Sequence, residues 1–120
     1  MPPPTLALPA ATGRHRIDAA DGQVAIVRLS DAQVIGSMVL AIEGGALELR
    51  CICIAEAARG YGAGTDAVRL VLAAAMPVCR VAYAFAPAGN GLAVYFWTRM
   101  GFSPRFGRDP RGLRFERELL

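Results

Sequence analysis

The chain has 120 residues, a single-domain length sufficient for one buried core, and 54% of them are apolar. All thirteen basic residues are arginine, and against ten acids they leave a net charge of only +3, which exerts little general pull on nucleic acid or anionic lipid. Charge, Gly or Pro interrupts every apolar run before it is long enough to cross a bilayer, so no membrane partner is expected.

The first residues, MPPPTLALPAATG, place Pro where a signal peptide needs helix and lack a basic start, so secretion is not expected. Residues 1–16 read as a flexible N-terminal tail and residues 17–120 as one domain. Gln23–Leu29 is rich in β-formers, Ser30 to Gln33 is polar enough to turn, and Val34–Ile42 continues as a second strand. Gly44 and Gly45 supply the next hairpin turn. Ala46–Ile54 is the third strand, mixed in polarity at Glu48 and Arg50 and apolar beyond. Of the three cysteines, Cys51 and Cys53 alternate on that strand toward one face, too near in sequence for an easy disulfide. Buried, reduced thiols and a cytoplasmic location are the expectation.

Residues 59–64 then read RGYGAG. Glycines at 60, 62 and 64 permit a sharp turn and leave backbone N–H groups unobstructed, so they can converge on one anion. The helix that follows, Thr65–Met76, carries Val68, Leu70, Val71, Leu72 and Ala75 at helical spacing and stops at Pro77. Its free N–H groups and positive dipole end suit a phosphate or pyrophosphate, and Arg59 at the mouth adds a permanent charge. The familiar triphosphate loop is excluded, because the chain has no lysine to complete it. A dinucleotide fingerprint also fails: the glycines run G-x-G-x-G, and Met76, Pro77 and Val78 occupy the region where the ribose-binding acid belongs.

Val81–Phe85 returns as a strand, and Asn90 is placed to cap a helix that runs to Met100 and stops at Gly101. Phe102–Phe106 and Leu113–Leu119 close the chain as a hairpin. The order is β-β-β-α-β-α-β-β, an α+β fold with a mixed, mostly antiparallel sheet and flanking helices. Arg105, Arg108, Arg111, Arg114 and Arg117 recur every third residue near the end. Pro110 and Gly112 forbid a continuous helix, and on a strand Arg114 and Arg117 fall on opposite faces. A solvated edge hairpin therefore accounts for them better than a nucleic-acid surface.

RGYGAG resembles the acetyl-CoA loop of the GNAT superfamily of N-acetyltransferases, Arg/Gln-x-x-Gly-x-Gly/Ala, with Arg59, Gly62 and Gly64 in place. Residues 90–102, NGLAVYFWTRMGF, resemble the second recurrent segment, with Asn90, Ala93, Gly101 and Phe102 at matching spacing. The resemblance covers about residues 34–119. It implies that the third strand splays from the strand after the helix, leaving a wedge where the pantetheine arm pairs with Ile52, Cys53 and Ile54. The pyrophosphate would lie on the loop of Arg59, Gly60, Tyr61, Gly62, Ala63, Gly64 and Thr65, whose hydroxyl either donates or caps the helix. Asn90 would reach the cofactor arm or serve only as a cap. No metal is implied.

The resemblance also implies direct attack of an amine on the thioester. Glu48, eleven residues before Arg59, is the candidate base, with a salt bridge to Arg50 on the same strand face as the competing role. Glu56 is the second candidate. A backbone N–H near Ile54 would polarise the carbonyl. Two positions depart from the family. Where members carry a Tyr that protonates the departing thiolate, this chain has Trp97, whose indole donates a hydrogen bond but releases no proton; it is expected to pack on the cofactor. Tyr95 points to the other side of that helix. Members also place two helices ahead of the second strand, where this chain has about twenty residues without helical periodicity, so the acceptor pocket is open, borrowed from a partner as in a homodimer, or missing. Two functions follow: an acetyl-CoA-dependent N-acetyltransferase acting on an amine of unknown class, or an acyl-CoA-binding regulatory module with little catalysis.

Overall fold

In the computed structural model, which describes residues 6–20, 23–107 and 109–119, one eight-stranded sheet carries two helices. Strands β1 (Ala10–Ala11), β2 (His15–Ala20), β3 (Gln23–Arg28), β4 (Gln33–Glu43) and β5 (Ala46–Ile54) form an antiparallel run in chain order. A short 3₁₀ turn, Glu56–Ala58, leads to α1 (Ala63–Ala75). Then come β6 (Val81–Ala86), α2 (Gly91–Arg99), β7 (Ser103–Arg105) and β8 (Leu113–Glu118). The spatial order is β1-β2-β3-β4-β5-β6-β8-β7, and the one parallel pairing among the described residues, β5 with β6, follows from the α1 crossover.

Both helices cover the same face of the sheet. Ala67, Val68, Val71, Leu72 and Ala75 of α1 join Leu47, Leu49, Ala82, Ala84 and Phe115 in one buried cluster, and Trp97, Met100 and Phe102 extend it. Small residues on β6 let α2 approach closely, while the alternate positions Val81, Tyr83 and Phe85 project to the other side and are only half-buried. Among the described residues, no helix lies on that second face. The shortest dimension, 23 Å, is that of a sheet with one helical layer.

The predicted element order holds from Gln23 onward, and α1 begins two residues earlier than the periodicity suggests, at Ala63. The front differs. Residues 10–16, assigned to a loose tail by sequence, include β1 and the start of β2; His15 and Ile17 are buried, and Ala10 and Ala11 pair with Ile17 and Arg16. No local periodicity marks so short a hairpin. It is held by a long-range partner, Asp66 of α1, discussed below. Residues 1–5 of the expected tail lie outside the described residues.

A second difference changes which residues share a face. Val39 pairs with Arg50 but Ser37 pairs with Cys53, so Met38 alone opposes both Cys51 and Ile52: β5 carries a bulge, with Cys51 at φ 49°. The extra residue resets the alternation. Ile52 and Ile54 pack against the core, whereas Glu48 and Arg50 keep to the open face, so the strict alternation that would put all four on one face is broken. Cys51 and Cys53 are exposed, contrary to the buried thiols expected; only Cys79 is buried.

Candidate functional site

β5 and β6 run side by side for three rungs only, Ala46 with Val81, Leu47 with Ala82 and Glu48 with Tyr83. Beyond Glu48 the strands diverge, because β5 stays with β4 as far as the Gly36–Ile54 pair while β6 stays with β8 through Ala86–Leu113. The backbone of β5 from Leu49 to Ile54 therefore has an unpaired edge facing a wedge. That edge holds Ile52, Cys53 and Ile54, the three residues expected to line it.

The glycine loop closes the mouth of this wedge. Gly60 and Gly62 adopt φ of 87° and 82°, and Gly62 is the N-cap of α1 without any side-chain cap. The first amide of the helix bonded within it is Asp66, to Gly62 O at 2.9 Å. Among the described residues, the amides of residues 60–65 donate no hydrogen bond to protein, leaving a set of N–H groups at the positive end of a helix of 13 residues. Thr65 is not the helix cap; it lines a groove of about 210 Å³ between α1 and α2, with Arg69, Leu92, Tyr95, Phe96 and Arg99. Tyr61 is exposed, Ala63 buried and Arg59 anchored by an Nε hydrogen bond to Ile54 O at 3.0 Å. One wedge carbonyl is thereby occupied by the arginine expected to meet phosphate.

At the vertex of the wedge, Glu48 is 3% exposed and Oε1 accepts two hydrogen bonds, from Arg50 Nη2 at 2.6 Å and from the Tyr83 hydroxyl at 3.2 Å. Among the described residues its Oε2 accepts no hydrogen bond and has Arg111 Nη1 at 3.9 Å. The hydrogen bond from Arg50 leads the effects that hold the Glu48 carboxyl below its usual range, and burial opposes them without reversing the sign. Tyr83 is pushed up from the ordinary phenol value, first by burial and then by the charge of Glu48. Arg114 stacks 4.0 Å from the Tyr83 ring centroid and Arg111 at the same distance from Phe85. Glu56, the alternative base, sits in the exposed 3₁₀ turn.

Asn90 caps α2, its Oδ1 accepting from Ala93 N at 3.0 Å. Trp97 is 6% exposed and wedged between Phe96 and Phe102 at centroid distances of 5.0 and 4.9 Å. Its visible role is to fill the core under α2. Of the C-terminal arginines, Arg105 and Arg114 pair with Glu116, Arg111 with Asp109, and Arg117 donates to Met100 O at 2.7 Å; Arg108 lies outside the described residues. A concavity of about 530 Å³ lies by the β7–β8 turn, and among the described residues Asp109 is the titratable group in its lining. Among the described residues no cluster of His, Cys, Asp or Glu could hold a metal.

Sequence reasoning did not find Tyr83, Arg111 or the front hairpin. Tyr83 sits in an apolar strand, and only its register with Glu48 across a crossover gives it a polar partner.

Residues 2–102 match the family model described as the acetyltransferase (GNAT) family. Solved structures with the same fold include a GCN5-related N-acetyltransferase from Brucella melitensis, with a TM-score of 0.69 and 19% identity over 81% of this chain and 50% of that one. The GNAT domain of an S. lividans protein, PAT, gives 0.69 and 15% over 84% and 64%. The PaiA N-acetyltransferase from Thermoplasma acidophilum, solved in complex with coenzyme A, gives 0.67 and 14% over 80% and 59%. The chain thus spans half to about two thirds of the length of these three proteins. Among curated proteins, no relative matches the chain.

Proposed function

The chain belongs to the GNAT family of acetyltransferases, and on that footing we propose that it transfers the acetyl group of acetyl-CoA to a primary amine by direct attack, with Glu48 receiving the amine proton. The observation that carries this reading is the divergence of β5 from β6 beyond the Glu48–Tyr83 rung, opening onto the free amides of the glycine loop. A linear co-substrate with an anionic middle and a reactive end fits that layout: amides of residues 60–65 for the pyrophosphate, the edge of Ile52 to Ile54 for the arm, Glu48 at the end. The groove with Arg69, Tyr95 and Arg99 suits the nucleotide end.

At the vertex, Glu48 is ionised at neutral pH and keeps Oε2 free of hydrogen bonds, so that oxygen is the one to accept a proton, directly or through water. Tyr83 remains protonated in the same range and is the hydroxyl bonded to that carboxylate. It takes the place that Trp97 cannot fill: the phenol gives its proton to the leaving thiolate, and the protonated Glu48 carboxyl, turned so that its new O–H faces the phenolate, gives that proton back to Tyr83. A backbone N–H near Ile54 would polarise the carbonyl.

The acceptor approaches from the face without helices. An uncovered face supports either an acceptor large enough to cover the site itself or a second copy of the chain. A homodimer is the proposed assembly, testable by size-exclusion chromatography. Three unpaired thiols support a reducing, cytoplasmic setting.

Thiol release from acetyl-CoA, screened against pooled amines and peptides, tests the transferase. Release should require an amine and fall by orders of magnitude in Glu48→Gln. The second reading, an acyl-CoA-binding regulatory module, is favoured by one observation: Trp97 stands buried where the family places its acid. Tight acetyl-CoA binding with no amine-dependent release would establish it.

A further inference from the structure

We infer that Arg14, carried on the turn between β1 and β2, is a ligand of the acetyl-CoA pyrophosphate at the glycine loop. The inference rests on the reading of residues 60–65 as the pyrophosphate cradle, and adds a residue from outside both family-like segments.

The first observation is position. The Arg14 guanidinium lies across the loop at Gly62, so a Cβ built on that glycine would stand 3.2 Å from Nη2, 3.8 Å from Cζ and 3.9 Å from Nη1. A cation is thereby parked on the N-cap of α1, beside the amides of residues 60–65 that have no protein acceptor.

The second is its unspent hydrogen-bonding capacity. Among the described residues the guanidinium donates no hydrogen bond; its nearest opposite charge, Asp66 Oδ1, is 3.6 Å away, and the side chain is 68% exposed. Arg69 and Arg99 line the groove assigned to the nucleotide end, and the arginines nearer the wedge are already bonded. Arg50 is bonded to Glu48, Arg111 to Asp109, and Arg59, which the motif nominates for this task, spends Nε on Ile54 O. An arginine with free planar donors beside free amides is a matched pair for a diphosphate.

The third is anchoring. Thr12 Oγ1 accepts the amides of Arg14 and His15 at 3.2 and 3.0 Å and donates to Asp66 Oδ2 at 3.1 Å. His15 Nδ1 meets the same Oδ2 at 2.7 Å in a buried contact. Asp66 belongs to the first turn of α1. The hairpin turn is therefore locked to the very turn of helix whose amides are free, and Arg14 reaches the site with little of the ordering cost that a loose tail would incur. The arrangement also answers an electrostatic difficulty. A carboxylate in that first turn would repel a diphosphate, and Arg14 offsets it.

Calorimetric titration of the intact chain with CoA and with 3′-dephospho-CoA, which keeps the pyrophosphate and lacks the remote phosphate, tests the assignment. Arg14→Ala should weaken both ligands equally, by roughly tenfold, the size of one charge-assisted hydrogen bond, and should flatten the salt dependence of binding. If an acceptor is in hand, KM for acetyl-CoA should rise with kcat unchanged. Arg105→Ala, which removes an equal charge far from the loop, should bind as wild type does, and matching circular dichroism spectra show that the variants fold. Equal affinity of Arg14→Ala and wild type for CoA overturns the inference. So does a loss seen with CoA and absent with 3′-dephospho-CoA, which would put Arg14 on the remote phosphate. Failure of the wild type to bind either compound overturns the cradle reading itself, a separate outcome.

Discussion

Glu48 and Tyr83 form the last rung joining β5 to β6, and the Tyr83 hydroxyl donates to Glu48 Oε1 at 3.2 Å where the two strands part. Two groups with opposite proton preferences thus meet at the closed end of the wedge: a carboxylate held ionised by Arg50, and a phenol held protonated by burial and by that carboxylate. Removing them should have different signatures. Glu48→Gln is expected to lower kcat by about 10²–10⁴-fold, and Tyr83→Phe by about 10–10²-fold, with CoA affinity unchanged in both. Steady-state kinetics paired with CoA titration checks this. Tyr83→Phe should matter less for an acyl donor whose thiol is more acidic, because such a leaving group needs no proton.

Trp97 fills the space between Phe96 and Phe102, so Trp97→Tyr should behave as a core substitution. A destabilisation of about 1–3 kcal/mol is expected in urea, with no large gain in acetyl transfer. A strong gain would mean that the site does lack an acid and that Tyr83 does not supply it.

The glycines at 62 and 64 should part company. Gly62 has φ 82° and sits under Arg14, so Gly62→Ala is expected to cost about 1–2 kcal/mol and to weaken CoA binding. Gly64 lies inside α1 with ordinary φ, and a Cβ there meets only Phe96 at 3.6 Å. Gly64→Ala should leave stability unchanged or raise it by up to about 1 kcal/mol and keep the cofactor. Denaturant unfolding and CoA titration of the pair give the answer.

Acid should unfold the protein through its paired carboxylates. At Asp66, burial is the largest influence and raises the carboxyl, yet bonds from His15 and Thr12 and the charge of Arg14 outweigh it, leaving it below the ordinary 3.8. A folded pKa below the unfolded one means the folded state favours ionisation. The stability so gained is complete above the unfolded value and is lost as pH falls through the folded one. Glu48 follows the same sign from 4.5. Urea midpoints should be insensitive to these two groups between about pH 5 and 7 and drop below about pH 4, with a shallower fall in Asp66→Asn.

Cys51 and Cys53 stand exposed on β5 beside the wedge, while burial raises the Cys79 thiol and shields it. Under native conditions a maleimide should label the first two and spare the third, as read by peptide mass spectrometry. Saturating CoA should slow labelling of Cys53. Equal labelling with and without CoA would place the arm elsewhere.

The element order from Gln23 onward was legible because each element carries its own local signal: alternation in QVAIVR, glycine pairs at 44–45, helical spacing from Val68 to Ala75, a cap at Asn90. The glycine turn was legible for the same reason, since three glycines between an apolar strand and a helix constrain backbone geometry by themselves. Glu48 was nominated from its spacing to Arg59, and Arg50 was foreseen as its partner because residues two apart on a strand share a face. The bulge at Cys51 was not, as nothing local distinguishes one more residue in LRCICI. It moved Ile52 and Ile54 to the core and changed what the wedge displays.

The sequence by itself determined the family and the strand–loop–helix turn at residues 59–65, because these depend on short stretches of neighbouring residues. Only the tertiary structure decided what surrounds them. Tyr83 reaches Glu48 across a 35-residue separation, Asp66 fastens the front hairpin across 51, and the uncovered sheet face depends on where both helices pack. Such contacts depend on register and on the packing of the whole core, a cost in chain entropy repaid only when every element is in place.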